Sequence, residues 1–225
     1  MPGQPDTALA SMGIYVFNTD VMYELLFQDA ARKESSAHDF GRDIIPAMLA
    51  SGSRVLAYPF RDENRKGAAY WRDVGTIDAY FQTSLDLIQV DPILNLYDRD
   101  WPIHTYQPPY PPPKFVFTEG DRRGAAYNSI VCQGAIISGG QVFRSIVSPG
   151  VRVNSYALVE DSILFNGVVV GRNARIRRAI IDKDVRIPTG FQIGWNRDAD
   201  LARGFTVSDD GVTVVAKGED LERFG

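Results

Sequence analysis

Between residues 147 and 193 aliphatic side chains recur on two nested spacings, and few backbones satisfy both. Val147, Val153 and Val159 are six residues apart, as are Leu164, Val170 and Ile176, and then Ile181, Ile187 and Ile193; each trio starts 17 residues after the one before. A helix repeats at about 3.6 residues, which fits neither spacing, and a hairpin strand at about two gives no reason for the longer one. The pattern is that of a parallel β-helix of triangular section. Each hexad forms one flat face, three faces make a coil, and the recurrent aliphatic points inward. Three full hexads occupy about 18 residues, so the repeat of 17 implies one shortened corner. An earlier coil, Ile130 to Val142, fits with a further slip of one residue. Gly134, Gly139, Gly150, Gly167, Gly171 and Gly190 fall between the aliphatics, where corners need a permissive backbone. The tail, Phe205–Val207 and Val212–Val215 around Asp209-Asp210-Gly211, reads as a hairpin that closes the column.

Upstream, from Ser11 to about Val90, strand and helix patterns alternate as in an α/β layer. A strand is expected at Met12–Phe17. Asn18-Thr19-Asp20 then caps a helix through Val21, Leu25 and Leu26. A second helix carries Ile44, Ile45, Met48 and Leu49 and stops near Gly52, with Pro46 either in its first turn or bending it. A strand at Val55–Phe60 and a charged loop at 61–67 follow, then Tyr70–Thr76 and a helix with Ile77, Tyr80, Phe81, Leu85 and Ile88. The first strand follows almost no preceding structure, which points to a missing half. Pro108-Pro109-Tyr110-Pro111-Pro112-Pro113 admits neither helix nor central strand and reads as a stiff connector. The expected division is residues 1–90, a connector at 91–127, and the β-helix at 128–225.

Lys and Arg total 24 against 28 Asp and Glu, a net charge of -4, so no global positive field exists to hold nucleic acid. The single cysteine, Cys132, makes no internal disulfide, and with two histidines it is too little for a zinc cage. No apolar run reaches membrane-spanning length and no signal peptide is visible, so the expected location is the reducing cytoplasm, with no membrane partner.

Asp73, in Trp71-Arg72-Asp73-Val74-Gly75-Thr76, places a carboxylate just before a helix, at a cleft edge in a layered α/β protein. It suits Mg²⁺, which takes one or two protein oxygens and leaves the rest to water and phosphate. Equally, Asp73 caps the helix or pairs with Arg72. Ser11 can hold a sugar or phosphate oxygen, or is a surface serine. His38 and Asp39 are adjacent and do not face each other, so Asp39 reads as a helix cap. Arg172, Arg175, Arg177, Arg178, Lys183 and Arg186 project from the coils, either to receive a phosphorylated metabolite or to keep the coils soluble.

Four segments carry a specific resemblance: Ala10–Phe17, Ser36–Pro46, Tyr70–Tyr80 and Trp101–Tyr106. In order through nearly the whole chain, into Val170-Gly171-Arg172-Asn173, they resemble bacterial glucose-1-phosphate adenylyltransferase. The resemblance implies an α/β remnant of a Rossmann-like nucleotidyltransferase domain followed by a left-handed parallel β-helix of hexapeptide-type repeats. It implies the reaction of ATP with α-D-glucose 1-phosphate to give ADP-glucose and pyrophosphate, with Mg²⁺ as cofactor, in a homotetramer regulated by phosphorylated metabolites. Ser11 is then the residue contacting glucose 1-phosphate, Asp73 a catalytic, metal-binding aspartate, and Lys183 stands where relatives place an effector-binding arginine. The Gly-rich nucleotide loop, the second metal aspartate and a Glu-Lys pair of the family are not in this sequence, so the chain alone is expected to be inactive. The alternative is a non-catalytic regulatory or oligomerisation subunit built on the β-helix. A hexapeptide acyltransferase would need a histidine in the coils, and none lies beyond His104.

Overall fold

The structure, a computed structural model, describes residues 6, 8, 10–32, 35–60, 70–100 and 102–224; the charged loop expected at 61–67 and Trp101 lie outside them. The chain divides into two compact units, residues 1–71 and 72–225.

In the first unit, helix α1 (Thr19–Ala30) starts where Asn18 Oδ1 accepts the Asp20 N–H at 3.2 Å. A single π-helical turn, Phe40–Ile44, capped by Asp39, runs into α2 (Ile45–Ala50). Pro46 sits in the first turn of α2, the one part of a helix where a missing N–H costs little. The strands expected at Met12–Phe17 and Val55–Phe60 are not formed. Their alternation is real, but a strand is held by its ladder, and no described residue of this unit pairs with either segment. Ile14, Val16 and Leu56 accordingly stand 78, 98 and 90% exposed.

The second unit is the solenoid with helix α3 (Ile77–Asp86) against it. Three parallel faces run its length. The first comprises β1 (Lys114–Val116), β6 (Ile136–Ser138), β9 (Arg152–Val153), β12 (Val169–Val170) and β15 (Arg186–Ile187). The second comprises β4 (Ala125–Tyr127), β7 (Gln141–Phe143), β10 (Leu158–Glu160), β13 (Arg175–Arg177) and β16 (Gln192–Ile193). The third comprises β5 (Ile130–Val131), β8 (Ile146–Val147), β11 (Ile163–Leu164), β14 (Ala179–Ile181) and β18 (Thr213–Val215), with β17 (Thr206–Val207) antiparallel at its edge. A small hairpin, β2 (Thr118–Glu119) with β3 (Arg122–Arg123), leaves the first coil. Most later coils pair with a shift of 17 residues, as in Ile146↔Ile163↔Ile180, and Ile130↔Ile146 with 16; β1 joins β6 at 22, with the β2–β3 hairpin between them, and β14 joins β18 at 34. All nine aliphatics of the nested pattern are inside, 0–3% exposed.

The corners explain both the strand length and the glycines. Gly139, Tyr156, Asn173 and Gly190 turn with positive φ at one edge, and Arg144, Asp161 and Arg178 do so at another. Gly171 is no such corner; a side chain there would begin 2.5 Å from the Ile187 carbonyl oxygen of the next coil, so close approach excludes a Cβ. Beside the second set of corners, buried hydroxyls replace missing backbone pairing. Ser145 Oγ donates to the Phe143 carbonyl and accepts the Ser162 N–H, and Ser162 Oγ donates to Glu160 and accepts the Ala179 N–H. Arg144 and Asp161, stacked on successive coils, form a two-pronged ion pair at 2.6 and 2.7 Å.

Pairs of consecutive aliphatics make the third face apolar on both sides. Val147, Leu164 and Ile181 point in, while Ile146, Ile163 and Ile180 point out. The outer row is covered by Ile77, Tyr80, Phe81 and Leu85 of α3, with Val212, Val214 and Phe165 alongside. After β16 the chain leaves the column through α4 (Arg197–Ala202) and returns as β17 and β18, the hairpin expected from sequence. Asp200, 1% exposed, ties this excursion down by accepting the Gly194 N–H at 2.7 Å and the Thr213 hydroxyl at 3.1 Å, with Arg203 at 3.2 Å. The proline-rich segment lies along the first coil, where the Pro111 carbonyl accepts the Gly134 N–H and Pro108 accepts from Gln133.

Candidate active site

Each candidate residue is placed by the unit that holds it. In the first unit Ser11 is exposed, and its Oγ accepts the Gly13 N–H at 3.1 Å and shares a hydrogen bond with the Tyr15 hydroxyl at 2.8 Å. The Tyr15 ring stacks on Phe40 at 5.9 Å between centroids, and Phe17 packs against both. A Cβ on Gly41 would lie 3.6 Å from the Tyr15 hydroxyl and 3.4 Å from Asp39 Oδ1, in ordinary contact with both, which places the π-helical turn beside these two groups. The result is a cluster of two hydroxyls and a carboxylate over aromatic rings, donors and acceptors of the kind that hold a polyol. Sequence reasoning picked Ser11 and missed Tyr15 and Phe40, although both lie in the quoted motifs. Their chemistry shows only when the chain folds them together.

Asp39 is the cap expected of it, accepting the Arg42 N–H at 2.8 Å. His38 faces away from it, toward Asp29, with Nδ1 and Oδ2 at 2.6 Å, and holds a positive φ of 57°. Ser36 Oγ donates to the other Asp29 oxygen at 2.7 Å. That hydroxyl first, and His38 second, hold the Asp29 carboxyl below the usual carboxylate range.

In the second unit Asp73 is exposed and does not cap α3. The cap is Thr76, whose Oγ1 accepts the Ala79 N–H at 3.1 Å. Asp73 makes a turn of its own, Oδ1 accepting the Gly75 N–H at 3.0 Å. A carboxylate is a donor type that divalent cations accept, one or two such groups being usual beside phosphates. No described group of three or more His, Cys, Asp or Glu could cage a metal, so the described residues offer at most that partial ligand set. Lys183 lies exposed on the loop after β14, its N–H donating to Asp182 Oδ1 at 2.7 Å. Cys132 is half-buried, and burial pushes its thiol up, away from thiolate chemistry. A cleft of about 440 Å³ lies at the last coil, lined by Phe191, Gln192, Trp195, Asn196 and Arg203; neither Asp73 nor Lys183 lines it, while Arg175 and Arg177 of the basic set lie over the Trp195 ring at 4.9 and 5.4 Å. No described helix is long and apolar enough to cross a membrane.

Comparison with known proteins adds family relations to this geometry. A family described as nucleotidyl transferase matches residues 2–90, and one described as GlmU-like, C-terminal hexapeptide, matches residues 111–215. Among curated proteins, the glucose-1-phosphate adenylyltransferase of Rhodopirellula baltica is 61% identical over 218 residues, covering 96% of this chain and 48% of the relative. Those of Koribacter versatilis and Frankia casuarinae are 51 and 50% identical, covering 96 and 97% of this chain and 51 and 54% of the relatives. The chain therefore spans about half the length of the curated relatives it matches.

Proposed function

We propose that this chain, which belongs to the glucose-1-phosphate adenylyltransferase family, forms the sugar-phosphate and metal side of an enzyme making ADP-glucose for glycogen synthesis. The observation that carries the reading is the match of 50–61% identity, unbroken across both units, to relatives bearing that name. In the reaction a phosphate oxygen of glucose 1-phosphate attacks the α-phosphorus of ATP in line, a new P–O bond forms, and pyrophosphate departs. Such transfer needs positioning and charge neutralisation more than covalent work by the protein.

Ser11, fixed by Gly13 and Tyr15, hydrogen-bonds glucose 1-phosphate. Nucleotidyltransferases generally use a divalent metal, here Mg²⁺, which when bound neutralises charge on the phosphates. Asp73 would hold that ion through a carboxylate oxygen while Oδ1 keeps the Gly75 N–H. Residues 1–90 form the C-terminal part of the transferase domain, and a proline-rich connector leads into the β-helix, whose first strands are β1 at 114–116 and β4 at 125–127. The assembled protein works in the cytoplasm as a homotetramer, and Lys183 contributes to a site for a phosphorylated effector.

The test is ADP-glucose formation from ATP and glucose 1-phosphate by the full-length enzyme, comparing it with Ser11→Ala. Loss of one hydrogen bond to a charged ligand is expected to raise KM for glucose 1-phosphate roughly 10- to 100-fold. Absence of ADP-glucose, or a Ser11→Ala enzyme with unchanged KM, contradicts the reading.

A further inference from the structure

Asp73 sits three residues before the cap of α3, and one side-chain hydrogen bond lies on each side of the Gly75-Thr76 link. Gly75 N–H donates to Asp73 Oδ1 at 3.0 Å, and Ala79 N–H donates to Thr76 Oγ1 at 3.1 Å. Only Val74 and Gly75 separate Asp73 from Thr76, so the carboxylate is held to the start of the helix by a tether of two residues.

That start is held from far along the chain. Asp78, in the first turn of α3, accepts the Ser208 hydroxyl on Oδ1 and the Asp210 N–H, at 3.4 Å, on Oδ2. Ser208 is separated from it by 130 positions. The hydroxyl has little freedom to turn away, because Ser208 Oγ also accepts the Val212 N–H at 2.9 Å and the Ser208 N–H pairs with the Val212 carbonyl at 3.0 Å. The 208–212 turn is itself moored. Arg178, at a corner of the solenoid with φ 46°, donates to the Asp210 carbonyl at 2.8 Å, and Arg197 donates to the Ser208 carbonyl at 3.2 Å. Buried Asp200 fastens the rest of the excursion to the last coil. Below the turn, the apolar stripe of α3 rests on Ile163, Ile180 and Val212. A cleft of about 250 Å³ lined by Asp78, Gln82, Arg178 and Asp210 runs along this seam.

We infer that Asp78 and Ser208 form a latch through which the C-terminal hairpin of the solenoid sets the position of Asp73. They are positioning residues: neither touches substrate, and their effect passes through the short segment from Thr76 back to Asp73. The inference rests on the reading of Asp73 as the metal-holding aspartate. It assigns to the solenoid, beyond its own stability, a direct hold on the reacting end of the transferase segment.

The experiment has two arms. In the full-length enzyme, Ser208→Ala is expected to lower kcat and raise the Mg²⁺ concentration for half-maximal rate, each about tenfold, since small misplacements of a catalytic group cost one to two orders of magnitude. KM for glucose 1-phosphate and the thermal midpoint should stay near those of the parent, and Ser208→Thr, which keeps the hydroxyl, should recover most of the loss. Asp78→Ala serves as the second variant. Where Asp73→Asn itself lowers kcat, unchanged kcat and Mg²⁺ dependence in both variants, or a loss that tracks the thermal midpoint, overturns the latch. In the second arm, amide exchange of residues 73–80 is followed in the 225-residue chain itself. Ser208→Ala should speed it about tenfold while the solenoid strands keep their protection. Unchanged exchange there overturns the latch by itself. Full turnover in Asp73→Asn, with accelerated exchange in Ser208→Ala, overturns the reading of Asp73 and leaves the latch standing.

Discussion

Asp73→Asn in the full-length enzyme is expected to reduce kcat by about three orders of magnitude, which corresponds to about 4 kcal/mol of lost transition-state stabilisation. The substitution separates the two roles the sequence leaves open for this residue. Asparagine keeps a side-chain oxygen able to accept the Gly75 N–H, so the turn that Asp73 makes in the structure survives. What disappears is the negative charge a divalent ion requires. A purely structural Asp73 would therefore leave kcat nearly untouched, and a metal-holding one would not. Steady-state rates at saturating ATP and glucose 1-phosphate, with the thermal midpoint measured in parallel, check this. A fall of less than about threefold would return Asp73 to the role of turn residue.

Leu164→Ala is expected to cost about 2–5 kcal/mol of stability. Leu164 is fully buried, paired between Val147 above and Ile181 below, at the middle of the column. Neither neighbour can close the space without breaking the ladder it belongs to, so the cavity persists. Arg186, next to buried Ile187 but pointing outward, serves as the control, and its replacement by alanine should stay within about 0.5 kcal/mol. Urea titration of the three proteins measures the difference. Equal losses in both variants would mean that the alternation of inside and outside along these strands is wrong.

The column was legible because a β-helix writes its geometry into the chain at two scales, and Val147, Leu164 and Ile181 obey both. Its corners were only partly so. Gly139 and Gly190 turn as expected, whereas Gly171 is there for close approach, and Arg144, Asp161 and Arg178 take left-handed corners that no residue type announces. The covering of the third face left a signal that went unread. Ile146-Val147, Ile163-Leu164 and Ile180-Ile181 are aliphatic pairs, and adjacent strand residues point to opposite sides, so an outer apolar row had to find a cover. Nothing in the periodicity says that the cover is α3; that follows from packing alone. Met12–Phe17 and Val55–Phe60 show the opposite case, a sound strand pattern that forms no ladder among the described residues. At the site, Ser11 and Asp73 stand out from their local sequence and take their roles from motif resemblance, while the Ser11–Tyr15 hydroxyl pair and the Asp78–Ser208 bond depend on partners that only the fold brings near.

The claim on which the rest depends is that α3 belongs to the solenoid as one cooperative body. Hydrogen exchange of the α3 amides, residues 80–86, measured peptide by peptide in the purified chain, tests it most directly. The account predicts that they are protected like the strands of the third face, and that Ile163→Asp, which puts a charge under Phe81, releases helix and face together. Exchange of α3 at the rate of an open chain, beside a solenoid that stays protected, would contradict it.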